Sequence, residues 1–155
     1  QKECPFWNFT IDCRERPKFL QQLKQQMFIS YQLKRRSMEF LRKNAVKFLE
    51  KAEESLSKGE YNFVMFFVEQ FFQLGLKYLI AKKYGDFPKT HSLKILFELT
   101  EDEKLLRFYK DNIDTLRDIE LAYVASRYFD VEYSEEAAER SLKLAKRFAE
   151  VTEIA

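Results

Sequence analysis

The sequence predicts an all-α protein: an up-and-down bundle of four or five helices with an extra helical arm at its N-terminus. The 155 residues include only three Gly and three Pro, and few turn residues favour long helices over many short strands. Apolar side chains recur every three to four residues over most of the chain, which is the period of a helix. Hydrophobic residues make up 46% of the sequence and include sixteen Phe, enough for a core without disulfide or metal support.

A change in composition near residue 37 divides the chain. Residues 1–37 hold six of the eight glutamines, and eight Lys or Arg against three Asp or Glu, a net charge of +5. Residues 38–155 hold nineteen Lys or Arg against twenty-two Asp or Glu, a net charge of −3. Their surface is rich in Lys and Glu, a bias typical of proteins from hot environments. We therefore predict a core domain at 38–155 and an N-terminal arm at 1–37 that is appended or non-native.

The first elements follow from turn residues and periodicity. Pro17 suits the first turn of an arm helix that ends near Arg36. A second helix, residues 39–57, carries an apolar stripe and stops at Gly59. The stripe consists of Leu41, Ala45, Phe48 and Ala52.

The later elements are bounded in the same way. A long apolar helix ends at Gly85, and Thr100 with Glu103 has the pattern of a capping box for another long helix. Ser134 followed by two glutamates begins the last helix. The predicted helices are residues 60–84, residues 92–99, a long one that follows the capping box and ends at about Tyr128, and a last one that follows Ser134.

A polar stripe crosses the long apolar helix. Gln70, Gln73 and Lys77 fall on one line, at spacings of three and four residues. Buried polar groups need partners, so the stripe is either an internal hydrogen-bond network or the lining of a groove that contacts a nucleotide or a dimer mate. An internal network or a contact with a dimer mate is favoured over ligand binding.

Arg127 lies on one helical face with Tyr123 and Glu120, four and seven residues earlier. One interpretation is an Arg–Glu pair that anchors the helix end, with the tyrosine hydroxyl hydrogen bonded. The other is phosphate capture by the planar guanidinium.

Four motifs, in this order, resemble those of the HEPN family (higher eukaryotes and prokaryotes nucleotide-binding). They are Leu56-x-x-Gly59-x-Tyr61, Gln70-x-x-Gln73-x-x-Leu76-Lys77, Thr90-His91-Ser92-Leu93 and Tyr123-x-x-x-Arg127-Tyr128. The resemblance covers residues 38–152. It implies a four- or five-helix bundle, commonly a homodimer, that cleaves RNA, binds RNA or nucleotide, or acts as partner of a minimal nucleotidyltransferase.

The chain departs from the family at positions that matter for catalysis. Ribonuclease members carry a His four to six residues after the Arg, where this chain has Val131, Glu132 and Tyr133. Metal-free RNA cleavage needs a general base, and Arg127 is always protonated. Spacing indicates neither Glu132 nor His91 as a substitute. We therefore expect a domain without catalytic activity. Other departures are Gln73 for Glu, Phe71 for a small residue, and Phe129 for Pro.

The aromatic residues of the long helix face more than one direction. A second aromatic face needs another surface to bury it, so we expect a homodimer through this helix. The alternative is an unusually large core within one chain. The predicted interface residues are Phe66, Phe67, Phe71, Phe72 and Gln70.

Several classes of function are disfavoured by the sequence. No apolar run is long enough for a membrane span, so no membrane association is expected, and the default location is cytoplasmic. The acidic core domain is not a broad nucleic-acid platform. Cys4 and Cys13 are too few for zinc, and no cofactor motif occurs.

The sequence thus predicts a module that binds RNA, a nucleotide or a nucleotidyltransferase-type partner near Arg127. The alternatives are a toxin-like, metal-independent ribonuclease that uses Arg127, and an assembly module without a ligand. Burial of Arg127 against Glu120 would favour the last. The expected binding residues are Arg127, Tyr123, Tyr128, Lys77, Gln73 and His91.

Overall fold

The computed structural model describes residues 16–155, which form six α-helices and no strand, so the all-α fold class is confirmed. Cys4 and Cys13 lie outside the described residues. The helices are α1 (Arg16–Ser57), α2 (Tyr61–Tyr84), α3 (Leu93–Leu99), α4 (Glu103–Asp111), α5 (Ile113–Tyr128) and α6 (Glu135–Thr152).

The chain divides into two compact units between Ser37 and Met38, and α1 runs through this division. The predicted end of an arm helix near Arg36 is therefore wrong. No Gly or Pro lies between Pro17 and Gly59 to interrupt a helix. In the first unit, described from residue 16, these large apolar side chains are exposed: Leu20, Met27, Phe28, Ile29, Tyr31 and Leu33.

In the second unit, α2 is the central helix and packs against α3, α5 and α6. By length and composition α2 could cross a membrane, since an 18-residue window has a mean hydropathy of 1.3. In the structure 61% of that window is buried, which is the character of a core helix.

An aromatic cluster fills the core around α2. Phe71 and Phe72 have no exposed surface, and their ring centroids lie 5.9 and 5.0 Å from that of Phe148 on α6. Both therefore pack within one chain, and their predicted place in a dimer interface is wrong. Phe66 and Phe67 are half-buried.

The helix ends follow side-chain chemistry. Gly85 ends α2 in the left-handed conformation, and the Ser134 hydroxyl accepts from the Ala137 amide at the start of α6. The predicted capping box is wrong, because Thr100 bonds back to Phe97 and Asp102 accepts from the Lys104 amide instead.

The long helix predicted to end at Tyr128 is divided into α4 and α5 at Asn112. The Asn112 side chain donates to the carbonyl of Phe108 at 2.8 Å. Asn side chains that bond to nearby main-chain groups compete with helix propagation, which explains the break.

Candidate nucleic-acid interface

Arg127 lies near the C-terminal end of α5, and its side chain is exposed. Its Nε donates to the main-chain oxygen of Tyr123 at 2.8 Å, and the guanidinium carbon lies 4.1 Å from the centroid of the Tyr123 ring. Among residues 16–155, no carboxylate oxygen lies within 4.0 Å of this guanidinium. The Arg127–Glu120 pair considered from the sequence is therefore not formed. The cation therefore lies against an aromatic face and forms no ion pair among the described residues.

Tyr123 brings a second candidate residue to the same place. The ring of His91 stacks on Tyr123 with centroids 5.7 Å apart and an interplanar angle of 14°. Phe66 of α2 stacks on Tyr123 as well, at 6.4 Å and 10°. The exposed side chains of His91 and Arg127 thus contact the same tyrosine ring, although 36 positions separate these residues in the sequence.

A buried hydrogen-bond network lies beside this stack. Glu69 has no exposed surface; one of its carboxylate oxygens accepts from Nε2 of Gln73 and the other from Nε2 of Gln70, each at 2.7 Å. The same Gln73 nitrogen donates to the main-chain oxygen of His91 at 2.5 Å. Gln70 and Gln73 of the polar stripe on α2 therefore belong to a hydrogen-bond network centred on Glu69.

A family model described as the HEPN domain matches residues 38–155. The chain belongs to the HEPN family. The match spans the whole second unit and contains every element of the site described above. Comparison with curated proteins gave no match, and comparison with solved structures gave none either.

Glu69 is a residue of the candidate site that the sequence did not predict. A carboxylate four residues before Gln73 on a buried helix needs hydrogen-bond donors such as side-chain amides. Its position one turn from a glutamine was the available signal.

The pKa of Glu69 is raised to about 7, mainly by burial and in smaller part by the charge of Glu120 on α5. The hydrogen bonds from Gln73 and Gln70, and the positive charge of Arg127, lower it. Burial also raises the pKa of Glu120, and a hydrogen bond from the Leu93 amide partly lowers it again. Two carboxyl groups and one guanidinium are therefore electrostatically linked across α2 and α5.

Lys77 lies two turns along α2 from Glu69, and burial lowers the pKa of its ammonium group. Its Nζ lies 5.9 Å from the centroid of Phe87 in the α2–α3 loop. No hydrogen bond or ring contact in the described part of the chain joins it to Arg127. The structure thus brings His91, Tyr123 and Arg127 together and leaves Lys77 apart from them. Tyr128 is exposed, with its ring centroid 5.1 Å from the Arg127 guanidinium.

The segment that follows Arg127 is held by α2. Asn62 donates to the carbonyl of Val131 at 2.8 Å and accepts from the Tyr133 amide at 2.9 Å. Glu132, between them, is exposed and lines a cleft of about 400 Å³ with Tyr61. Within the described residues Glu132 forms no ion pair with Arg127.

The described residues contain no group of three His, Cys, Asp or Glu that could hold a metal ion.

Proposed function

We propose that this HEPN domain binds single-stranded RNA without cleaving it. The supporting observation is the exposed Arg127 guanidinium, which lies against Tyr123 and has no acidic partner within ion-pair distance among the described residues. A guanidinium fork of this kind can bind a phosphate through two N–H groups.

The neighbouring rings suit unpaired bases. His91 and Tyr128 are exposed beside Arg127, and proteins that recognise single-stranded RNA commonly stack its bases on aromatic and imidazole rings. The net charge of −3 over residues 38–155 makes a broad electrostatic footprint unfavourable, so the contact is local and short.

The test is fluorescence anisotropy of labelled single-stranded RNA with the full chain and with Arg127→Ala. We expect the substitution to weaken binding about tenfold, which corresponds to about 1.4 kcal/mol. Arg117→Ala is the matched control, because Arg117 is also exposed on α5 but about 15 Å away along the helix axis. Equal losses in both variants, or none in Arg127→Ala, would contradict the proposal.

A second candidate, a metal-independent ribonuclease, is favoured by one observation. His91 and Arg127 contact the same Tyr123 ring. A candidate base, His91, therefore lies close to a candidate phosphate-binding group, Arg127. In this arrangement His91 would replace the histidine that ribonuclease members carry after the arginine. Histidine suits proton transfer near neutral pH. Incubating labelled RNA with the full chain in EDTA separates the two functions. Cleavage that disappears in both Arg127→Ala and His91→Ala would establish the ribonuclease.

Burial of Arg127 against Glu120 would have favoured an assembly module without a ligand. Arg127 is instead exposed and forms no ion pair with Glu120.

We also propose that the domain works as a homodimer, through a surface other than buried Phe71 and Phe72. The last turns of α5 and the segment after it expose large apolar side chains, and contiguous exposed apolar surface is typical of protein interfaces. Sedimentation of Leu121→Glu against the parent chain tests this, with loss of the dimer expected. The exposed side chains that the RNA proposal does not use are Leu121, Val124, Phe129 and Val131.

A further inference from the structure

Gln73 connects the core helix α2 to the loop that carries His91. Its Nε2 donates to a carboxylate oxygen of Glu69 and to the main-chain oxygen of His91, so both hydrogens of the amide are used. His91 lies in residues 85–92, which include no helix. The Gln73–His91 hydrogen bond therefore ties this loop to α2 at the residue whose ring stacks on Tyr123.

The surroundings of the Gln73 amide decide its orientation. Nε2 faces two acceptors, and turning the amide would put an oxygen against both of them, which is unfavourable. Oε1, in contrast, is buried and accepts no hydrogen bond from the described residues. Within the described part of the chain, the amide of Gln73 therefore acts through its N–H groups alone.

Gln73 itself offers a ligand almost no surface. It is 3% exposed, so an effect of Gln73 on ligand binding has to act through a neighbour. His91 accepts a hydrogen bond from it and has an exposed side chain. Among residues 16–155 the imidazole forms no hydrogen bond of its own, and its ring stacks on Tyr123. The position of the imidazole therefore depends on the main chain that Gln73 holds.

The peptide group between His91 and Ser92 is held at both of its polar atoms. Its oxygen accepts from Gln73, and its N–H donates to the hydroxyl of Thr90 at 3.2 Å. Thr90 belongs to the loop, so its hydrogen bond moves with the loop, whereas Gln73 belongs to α2. Because a peptide group is planar, holding its oxygen against α2 restricts the direction in which the His91 side chain leaves the main chain.

We propose that Gln73 is a positioning residue, which holds His91 where a base of single-stranded RNA can stack on the imidazole. The amide does not touch the RNA. It keeps the imidazole on the Tyr123 ring, which also carries Arg127. The effect on RNA binding rests on the proposed function, while the control of the His91 ring by Gln73 does not.

The experiment uses the full chain and its single histidine, whose ring protons give NMR signals without overlap from other histidines. Stacking on Tyr123 shifts these signals through the ring current of the tyrosine, and Tyr123→Leu marks their positions without the stack. Gln73→Met keeps the length of the side chain and removes both donors. We expect the His91 signals of this variant to move to the Tyr123→Leu positions. The anisotropy of labelled single-stranded RNA should show an affinity about fivefold lower, the lower end of what the loss of one base–ring stack costs.

Gln70→Met is the matched control. Gln70 lies on the same helix and also donates to Glu69, at 2.7 Å, but within the described residues it forms no hydrogen bond with the His91 loop. Both variants therefore remove one donor from Glu69, and only Gln73→Met releases the His91 carbonyl. Gln70→Met should leave the His91 signals in place and the RNA affinity within about twofold of the parent chain.

The possible outcomes separate this inference from the proposed function. His91 signals that move in Gln73→Met, in a chain that binds no RNA, support the control of the ring by Gln73 and contradict the proposed function. RNA binding with His91 signals that stay in place in Gln73→Met, or that move equally in Gln70→Met, overturns the positioning role. Signals that move without a loss of RNA affinity also overturn it, because His91 would then not contact the RNA.

The parent chain gives a second test, which decides the matter if Gln73→Met does not fold. Because both N–H groups of Gln73 are hydrogen bonded in the core, its side-chain amide protons should exchange with solvent at least about tenfold more slowly than those of Gln26. Gln26 is a suitable reference, since it is an exposed glutamine of α1. Equal exchange rates for the two side chains would show that the hydrogen bond to His91 does not hold the loop.

Discussion

The guanidinium carbon of Arg127 lies 4.1 Å from the centre of the Tyr123 ring, one turn earlier on α5. This contact orients the guanidinium, and the Nε hydrogen bond to the Tyr123 carbonyl fixes the side chain from the other end. The ring that holds Arg127 also carries His91. Tyr123 is therefore the residue through which helix α5 and the α2–α3 loop meet in one site.

Because the Tyr123 ring orients both neighbours, removing it should cost RNA affinity as much as removing Arg127. We expect Tyr123→Ala to weaken binding about tenfold, and Tyr123→Phe, which keeps the ring, to bind within about twofold of the parent chain. Anisotropy with labelled RNA measures both.

The double variant Tyr123→Ala with Arg127→Ala provides the control. Residues that act as one unit are not additive, so the double variant should bind no worse than either single one. Losses that simply multiply would mean that the two side chains contact RNA independently, contrary to the geometry.

The raised pKa of Glu69 predicts how stability depends on pH. The folded state holds this carboxyl group at a pKa of about 7 against 4.5 for the ordinary group, so the folded protein binds its proton more tightly than the unfolded chain. Its contribution to stability is complete below pH 4.5 and is lost as the pH rises through 7. The loss amounts to about 3 kcal/mol, from 1.36 kcal/mol per pKa unit.

Glu69→Gln should therefore gain stability relative to the parent chain as the pH rises from about 4.5 to 7 and remain at that gain above it. Urea unfolding at pH 5, 6, 7 and 8 measures the difference, and using the difference cancels the titration of other carboxyl groups. A constant difference across this range would show that Glu69 is not perturbed by folding.

The sequence predicts the fold well because the fold depends on local signals. Gly59 and Gly85 both have positive φ, where glycine is favoured, and Ser134 caps the last helix as expected. The sequence did not predict the division at Asn112, because a single Asn within a helical pattern is compatible with both a continuous helix and a break. The helix end near Arg36 was predicted from composition, which does not determine backbone conformation.

The site was harder to predict because it depends on packing between distant segments. The spacing of four residues predicted that Tyr123 lies beside Arg127 on one helical face. Only the packing of the α2–α3 loop against α5 places His91 on the Tyr123 ring. Burial is also a tertiary property, so the spacing of Glu69 and Gln73 indicates a hydrogen-bond partner but does not predict the raised pKa of the carboxyl group. For Phe71 and Phe72 the sequence predicted a dimer interface, but both side chains are buried in the core of one chain.

Asn62 should control the segment after Arg127, because its side chain makes two hydrogen bonds with it. We expect Asn62→Ala to lower the free energy of unfolding by about 1–3 kcal/mol, as for loss of two net hydrogen bonds. Amide hydrogen exchange in residues 131–133 should accelerate.

Asn62→Asp gives a more specific comparison. It keeps an oxygen for the Tyr133 amide but loses the donor to the Val131 carbonyl, so exchange at Tyr133 should stay slower than in Asn62→Ala. Asn44→Ala, a change of the same type on α1, should leave the segment unaffected. Equal exchange at Tyr133 in Asn62→Asp and Asn62→Ala would show that the Tyr133 hydrogen bond does not hold the segment.

Gly75 allows the end of the chain to approach α2. A Cβ atom at this position would lie 3.2 Å from Cδ1 of Ile154 and 3.4 Å from Cε1 of Phe148. Ile154 is 1% exposed, and Nη1 of Arg42 donates to its carbonyl at 3.1 Å, so the segment has little room to move as a whole. The terminal methyl of Ile154 can still rotate away from a single added carbon.

We therefore expect Gly75→Ala to be tolerated, because its higher helix propensity, worth up to about 1 kcal/mol, offsets the close contact. Gly75→Val adds two more carbons and should lower the free energy of unfolding by about 1–3 kcal/mol through overpacking. Urea unfolding of the full chain gives these values. In an Ile154→Ala background the cost of Gly75→Val should shrink, since the closest atom is gone; an unchanged cost would mean that the two residues do not contact each other.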